Sequence, residues 1–458
     1  MKKNQKNDKN EKIKKSGTDM FSKSQSHIIE GDPVFSSKEY KRSRIAYTFE
    51  CGFAYFGTIL IGGAFLAKLL NNMGIPDDQV GIISSLGSLA FLIQLISIWM
   101  VTRINNTKRT VILFQVLAIL LFGATYLIPF IDVPLAVKTI LVFICVLGGM
   151  GCKYLVIHIY YRWGNSFVHP GKRGSFSAVK EMTSLAGGIV VSLAAGAMID
   201  RYEREGNLAA GFKVMAILLF VIAAADLISL LCINNEDKAE TQAQKKSLSD
   251  VLHATFGNKA FMATVYLHIG LNVATYLTTG FLGTYETQEL ALTVGSIQVI
   301  SMIGNGSRFF LSRPFGKYSD KTSFAKGYAL ALVLMAAAFL CVAFTTPRTW
   351  WLIIAYSVLY NVASAGHSAN SYNMGYSYVG IEFFTQAQAI KFSLAGVAGF
   401  LTSLGASRIL KAVQANGNQV LCLHIYGQQI LAFISFIIVS LTAINAYRMA
   451  NRWDARKQ

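Results

Sequence analysis

Apolar residues along the chain gather into runs of about 18 to 25, the length that crosses a ~30 Å hydrocarbon core as a helix. Such runs predict helices at about 45–70, 79–101, 110–131, 136–161, 177–200 and 211–233, and again at about 260–285, 291–313, 325–346, 349–373, 386–410 and 424–447. The one long polar interruption, 234–259, holds Glu236, Asp237, Lys238, Glu240, Lys245, Lys246 and Asp250. The pattern predicts an all-α polytopic membrane protein of twelve transmembrane helices: a six-helix bundle over 45–233, a cytoplasmic linker over 234–259 and a second six-helix bundle over 260–447. Residues 1–44 read as a disordered basic tail, because Lys, Asn and Ser bury too little apolar area to offset ordering entropy, and 448–458 as a short cytoplasmic tail.

A repeated pattern supports two pseudo-symmetric halves. Gly164-Asn165-Ser166-Phe167-Val168 ends the fourth helix and Ser184-Leu185-Ala186-Gly187 lies in the fifth. Gly375-Tyr376-Ser377-Tyr378-Val379 ends the tenth and Ser393-Leu394-Ala395-Gly396 lies in the eleventh. The order and spacing recur about 210 residues later, as a parallel duplication of six helices requires. Gly63-Ala64-Phe65-Leu66 and Thr279-Gly280-Phe281-Leu282 echo each other in the first and seventh helices.

Composition agrees: of 458 residues, 53% are hydrophobic and 14% charged, against about a quarter charged in soluble domains. The net charge of +18 raises nucleic acid as a partner, but the cations lie in the tail and in short loops rather than on one soluble face, so none is expected. They mark topology instead. Arg103/Lys108/Arg109, Arg162/Lys172/Arg173, Arg313/Lys317/Lys321/Lys326 and Arg448/Arg452/Arg456/Lys457 fall on the side of the tail and linker, which places both termini in the cytoplasm and the protein in the cell membrane. Arg201/Arg204, Arg408/Lys411 and the connection near Glu382, with no cation before Lys391, run against that contrast. The first apolar run is longer than a signal-peptide core and lacks a cleavage site, so the tail reads as retained. Cys51, Cys145, Cys152, Cys232, Cys341 and Cys422 form no CxxC or Cys/His cluster, and neither metal nor cofactor is expected.

Arg313-Pro314-Phe315-Gly316-Lys317-Tyr318-Ser319-Asp320-Lys321, after the eighth helix, is similar to the Gly-x-x-x-Asp-Arg loop of the major facilitator superfamily, and the chain resembles that family from about Arg44 to Tyr447. The resemblance implies two pseudo-symmetric six-helix bundles and a latch in which the loop's carboxylate joins the halves on the cytoplasmic side. Gly316, Asp320 and Lys321 are therefore candidate gating residues, with Asp320 expected near the start of the fifth helix, around Gly174 to Ser177. Two departures stand out: Ser323-Phe324-Ala325 precede Lys326 in place of Gly and basic residues, and the first-half loop keeps Arg103, Lys108 and Arg109 without the Gly and Asp.

Ionisable groups inside a span are costly and mark functional sites unless they snorkel or line water. Glu50 lies about two turns into the first helix, where a carboxylate either exchanges a proton during a cycle or holds a structural ion pair. Lys153, about halfway along the fourth helix, is its candidate partner, since the resemblance turns both helices toward the central cavity. Arg308 is near enough to an end to snorkel. In the seventh helix Thr264, His268, Asn272, Thr275 and Thr279 share one face; in the tenth, Asn361, Ser364, Ser368 and Ser371 do, with Tyr360, His367 and Asn370 adjoining. Such stripes are interhelical glue or cavity lining, and their amide and imidazole content favours lining. Small residues at Ser184, Gly188, Ser192 and Gly196, and at Ala395, Gly399 and Ser403, allow close helix approach.

With no P-loop to couple ATP, these features point to a secondary transporter, acting as a monomer in the bilayer and moving a small polar solute by alternating access. Glu50, Lys153, His268, Asn272, Asn361 and His367 are the candidate substrate or coupling residues, a sugar or organic anion the candidate solute, and proton or sodium the candidate coupling ion. Drug or metabolite efflux would call for a cavity of aromatic and Met side chains. A membrane enzyme or sensor would call for clustered catalytic groups or a sizeable soluble domain, and HExxH and GxSxG motifs are absent.

Overall fold

The computed structural model of the chain describes residues 37–101, 104, 106–169, 173–234, 252–253, 255–379, 383–420 and 423–454. Polar side chains start many of its helices: Ser37, Asn106, Asn207, Asn258, Thr293 and Ser323 each accept from a backbone N–H two or three residues on, pairing donors that a first helical turn leaves free. In chain order the helices are α1 (Lys38–Leu60), α2 (Gly63–Asn72), α3 (Asp77–Ser84), α4 (Leu86–Ala90), α5 (Ile93–Val101), α6 (Thr107–Thr125), α7 (Leu135–Ser166) and α8 (Arg173–Arg204). There follow α9 (Leu208–Cys232), α10 (Lys259–Thr284), α11 (Val294–Lys321), α12 (Phe324–Ala343), α13 (Leu352–Tyr378), α14 (Phe384–Ala415) and α15 (Gly427–Asp454). A two-residue antiparallel ladder, β1 (Gln419–Val420) with β2 (Leu423–His424), joins the last two helices.

With α1 and α2 taken as one crossing bent by 41°, α3 to α5 as a second and each remaining helix as one, the described helices are consistent with twelve. The bend falls at Gly62-Gly63, where Gly63 takes a φ of +53° that a side chain would resist. Among the described residues nine helical spans are long and apolar enough to cross a bilayer, ten with the bent pair. Helices α11 and α13 fall short in composition rather than in length, at 28 and 27 residues. Their polar residues are tolerated only where protein or water, not lipid, faces them. The chain is an integral membrane protein, and twelve crossings would put both described ends on one face, here the terminal face.

Three expectations need correction. Helix α1 begins at Lys38, inside the stretch read as tail, because Ser37 caps it and Ser43 is buried, accepting from the Asn234 N–H beyond α9 at 3.0 Å. Helix α15 likewise runs past 447 to Asp454. The stretch from Arg313 to Lys321 is no loop: it forms the last turns of α11, Pro314 included, and with Ser323 capping α12 only Thr322 and Ser323 separate the two helices. The first 36 residues and 235–251 of the linker lie outside the described residues.

The halves meet mainly through α2 to α5 and α8 on one side and α10, α11 and α14 on the other, at mid-membrane and toward the face opposite the termini. Glycine makes these approaches possible. A Cβ at Gly81 would lie 1.9 Å from the Phe281 ring, and one at Gly283 would lie 2.9 Å from the Gly63 carbonyl oxygen. Ser88 Oγ donates to the Gly396 carbonyl at 2.7 Å and Ser393 Oγ to the Phe91 carbonyl at 2.8 Å, so the Ser-Leu-Ala-Gly motif of α14 docks on the broken second crossing. Gln414 Nε2 donates to Asp77 Oδ2 at 2.9 Å. Toward the terminal face, by contrast, Tyr161 of α7 and Tyr372 of α13 are 48% and 47% exposed. Among the described residues, the contacts between the halves are thus concentrated at mid-membrane and at the opposite face.

One contact at that face has a measurable consequence. Asp200 Oδ2, near the end of α8, accepts the Gly295 N–H at 2.9 Å, in the first turn of α11, where a carboxylate is stabilised by about 0.3–1 kcal/mol, rising to ~2 when partly buried. Asp200→Asn keeps the shape and removes the charge. It is expected to move the population toward opening at this face by up to about thirtyfold, seen as longer spin-label distances between the ends of α8 and α10; unchanged distances would show that the contact does not bias the gate.

Candidate solute site within the membrane

Glu50 is fully buried on α1. Its Oε2 accepts from the Tyr160 hydroxyl of α7 and its Oε1 from Gln115 Nε2 of α6 at 3.5 Å. Tyr160 stacks on Tyr47 with ring centroids 4.9 Å apart, and its hydroxyl lies 2.6 Å from Cys51 Sγ. Residues 50, 54 and 58 follow at intervals of four on one face of α1, and Lys153 takes the later part of that stripe: Nζ donates to the Ala54 carbonyl at 2.9 Å and to the Thr58 hydroxyl. Lys153 and Glu50 therefore form no direct ion pair, although each lies in the other's field.

A third ionisable group shares this field. Asp226 of α9 is fully buried, within electrostatic reach of Glu50 and Lys153, and neither carboxyl oxygen has a hydrogen-bond partner. Lys180 of α8 stands 5.3 Å from the Tyr47 ring centre and 5.2 Å from that of Tyr161, within cation–π range.

The second half holds a different cluster. His268 of α10 and His367 of α13 lie nearly parallel, 7° between planes and 5.3 Å between centroids, with His268 Nδ1 3.3 Å from His367 Nε2. One nitrogen donates and the other accepts, the tautomer deciding which. Tyr328 of α12 covers His367 at 5.1 Å, and Phe392 of α14 meets His268 edge-on at 5.1 Å. Next to Phe392, Lys391 is fully buried; its Nζ donates to Ser371 Oγ at 2.9 Å, and no described carboxylate pairs with it. Both imidazoles feel the Lys391 charge. Gln388, one turn earlier, is buried with both amide atoms unpartnered.

Aromatic rings bridge the two clusters. Phe91, at the break in the second crossing, stacks on Phe392 at 6.1 Å and lies 4.6 Å from Tyr154, the neighbour of Lys153 on α7. The six candidates thus divide: Glu50 and Lys153 join the first cluster, and His268 and His367 pair in the second. Asn272 and Asn361 join neither, their amides donating to their own helices at the His268 and Ser357 carbonyls, at 3.0 and 2.8 Å.

The gating candidates lie at the terminal face. Asp320 and Lys321 are exposed, Gly316 half-buried, and Asp320 makes no hydrogen bond or ion pair among the described residues. Arg308, expected to snorkel, instead reaches Glu181 of α8 at 3.2 Å, an ion pair across the seam.

Asp226 and Lys391 escaped the sequence analysis, and each had a signal. Asp226 is the lone charge in the later part of a span whose mean hydropathy is 2.7. Lys391 lay inside the span expected over 386–410 and entered only as the first cation after the Glu382 connection, yet it stands two residues before the Ser-Leu-Ala-Gly motif that belongs to the membrane.

Charged groups buried in both halves of a helical membrane bundle, with the halves in contact across mid-membrane, are the arrangement of a membrane solute transporter. The chain belongs to the Major Facilitator Superfamily, whose model matches residues 49–406. The fold is similar to that of the D-xylose-proton symporter (TM-score 0.68, 13% identity, 90% of this chain and 98% of that one). It is also similar to the nucleoside transporter NupG (0.63, 16%, 90% and 99%) and to a bacterial homolog of the human lysosomal transporter Spinster in an inward-facing, unoccupied conformation (0.62, 14%, 91% and 98%). At these identities the likeness is one of fold. No curated protein matches the chain in sequence.

Proposed function

We propose that the chain is a proton-coupled secondary transporter of a small organic anion. The observation that carries this reading is Lys391, an ammonium fully buried and, among the described residues, with a hydroxyl as its one hydrogen-bond partner and no acid paired with it. Such a charge is costly in a low-dielectric interior unless a counter-charge arrives, and a carboxylate or phosphate solute supplies one. The free amide of Gln388 and the paired imidazoles stand ready to orient it. A neutral sugar would leave the ammonium uncompensated. In the other half Glu50, whose carboxylate is met by hydroxyl and amide donors, is the proton-exchanging group, with Lys153 responding to its charge.

The two halves, 45–233 and 260–447, rock about the seam, and the basic loops place the terminal face in the cytoplasm of a cell-membrane protein that works as a monomer. When that face shuts, Asp320 caps α8 around Gly174 to Ser177, as Asp200 now caps α11 at the other face. Solute binding tests the reading most simply. In purified protein, small mono- and dicarboxylates or phosphorylated solutes should raise the melting temperature of wild type and not of Lys391→Gln. If neutral sugars or nucleosides alone stabilise it, and stabilise the variant equally, the anion assignment fails.

A further inference from the structure

Away from the transport path, α1 and α9 leave a groove of about 460 Å³ on the outer surface at the terminal face. Lys38, Lys41 and Arg42 line its mouth, and Ile45, Phe49 and Ile228 line its floor. On α1 these positions fall at intervals of three, four and seven, so they make one stripe about 16 Å long that passes from cationic to apolar. The three apolar side chains are 50%, 53% and 63% exposed, as lipid-facing residues are.

Among the described residues these cations pair with no acid. Lys108 of α6 joins them, donating to the Leu231 and Ile233 carbonyls at the end of α9, at 2.8 and 2.6 Å, within reach of the Arg42 charge. Arg42 touches Cys232 Sγ at 3.6 Å, and none of the four forms an ion pair among the described residues. Glu39, the adjacent acid, is turned about 100° around α1 and accepts from Asn234 Nδ2 at 3.3 Å instead.

We propose that this groove binds one anionic phospholipid, its phosphate held by Lys38, Lys41 and Arg42 and an acyl chain laid along Ile45, Phe49 and Ile228. Cations clustered at headgroup depth attract phosphate, and the guanidinium fork matches its oxygens. The apolar continuation of the same stripe selects a lipid over a soluble anion, because it runs into the hydrocarbon. The site lies on helices of one half, so its lipid travels with that half during the cycle.

Native mass spectrometry and thermal unfolding of the full chain in neutral detergent test this, with phosphatidylglycerol, phosphatidylcholine and glycerol phosphate as probes. Wild type should retain one phosphatidylglycerol and melt higher with it, at concentrations where phosphatidylcholine and glycerol phosphate do neither. Lys38→Gln/Lys41→Gln/Arg42→Gln should lower that retention by roughly fivefold or more, whereas Lys317→Gln/Lys321→Gln/Lys326→Gln, equal in charge and on the same face, should not. Equal retention of both lipids by wild type overturns the site whatever the variants do. So does an equal loss in the two variants, which means diffuse surface charge, or equal stabilisation by glycerol phosphate, which means a phosphate site without a chain.

Discussion

Replacing Lys391 with glutamine is expected to weaken solute binding by about 10- to 150-fold, the equivalent of the 1.5–3 kcal/mol that a hydrogen bond to a charged group contributes, while making the solute-free protein more resistant to heat. The two effects have one origin. In the empty state the ammonium is buried against Ser371, with no carboxylate paired to it among the described residues, so removing the charge relieves uncompensated desolvation. In the loaded state the same charge is the solute's counter-ion, and its loss is felt in full. A lysine that merely filled space or braced α13 against α14 would behave differently: the glutamine variant would melt lower and transport with unchanged affinity. Titrating the solute against wild type and variant, with melting curves of both in its absence, measures the two signs together.

Glu50→Gln is expected to uncouple the transporter. Glutamine can still accept the Tyr160 hydroxyl where Glu50 Oε2 now does, so the packing of α1 on α7 should survive, but an amide cannot take up and release a proton. Accumulation of solute driven by a pH gradient should fall to the equilibrium level, while exchange of labelled for unlabelled solute, which needs no net proton movement, should stay within about threefold of wild type, less than 1 kcal/mol in the barrier. Retention of gradient-driven accumulation would place coupling elsewhere. Asp226 is then the next group to change, because both of its oxygens are buried without a donor and it shares the field of Glu50 and Lys153.

The fold was legible because hydrocarbon imposes one length on every span and excludes unpaired backbone, so the apolar runs name the helices. What they do not name is where a helix breaks or continues. The kink at Gly62-Gly63 leaves hydropathy unchanged and changes only a backbone angle. The cationic stretch from Arg313 to Lys321 looks like a loop, although its backbone stays helical at the membrane surface. The site was legible in part for a related reason. Glu50, Lys153, His268 and His367 announce themselves as polar groups at spanning depth, yet depth does not tell which neighbour a side chain chooses. Lys153 chose the Ala54 carbonyl and the Thr58 hydroxyl over a carboxylate. Asn272 and Asn361, on stripes that read as cavity lining, turned their amides back onto their own helices. Lys391 shows the opposite failure, a charge inside an expected span that was passed over because it lies within two turns of the α14 start, where a cation can as well face water.

Uptake by purified protein reconstituted in sealed vesicles, acid outside and alkaline inside, tests the account most directly, with a radiolabelled carboxylate solute chosen by the stability screen and a neutral sugar beside it. The account predicts that the carboxylate accumulates above its external concentration, that a protonophore collapses the accumulation, and that Lys391→Gln shows none. Accumulation of the neutral sugar in its place, or carboxylate uptake that is the same with and without the pH gradient and in the Lys391→Gln protein, would contradict it.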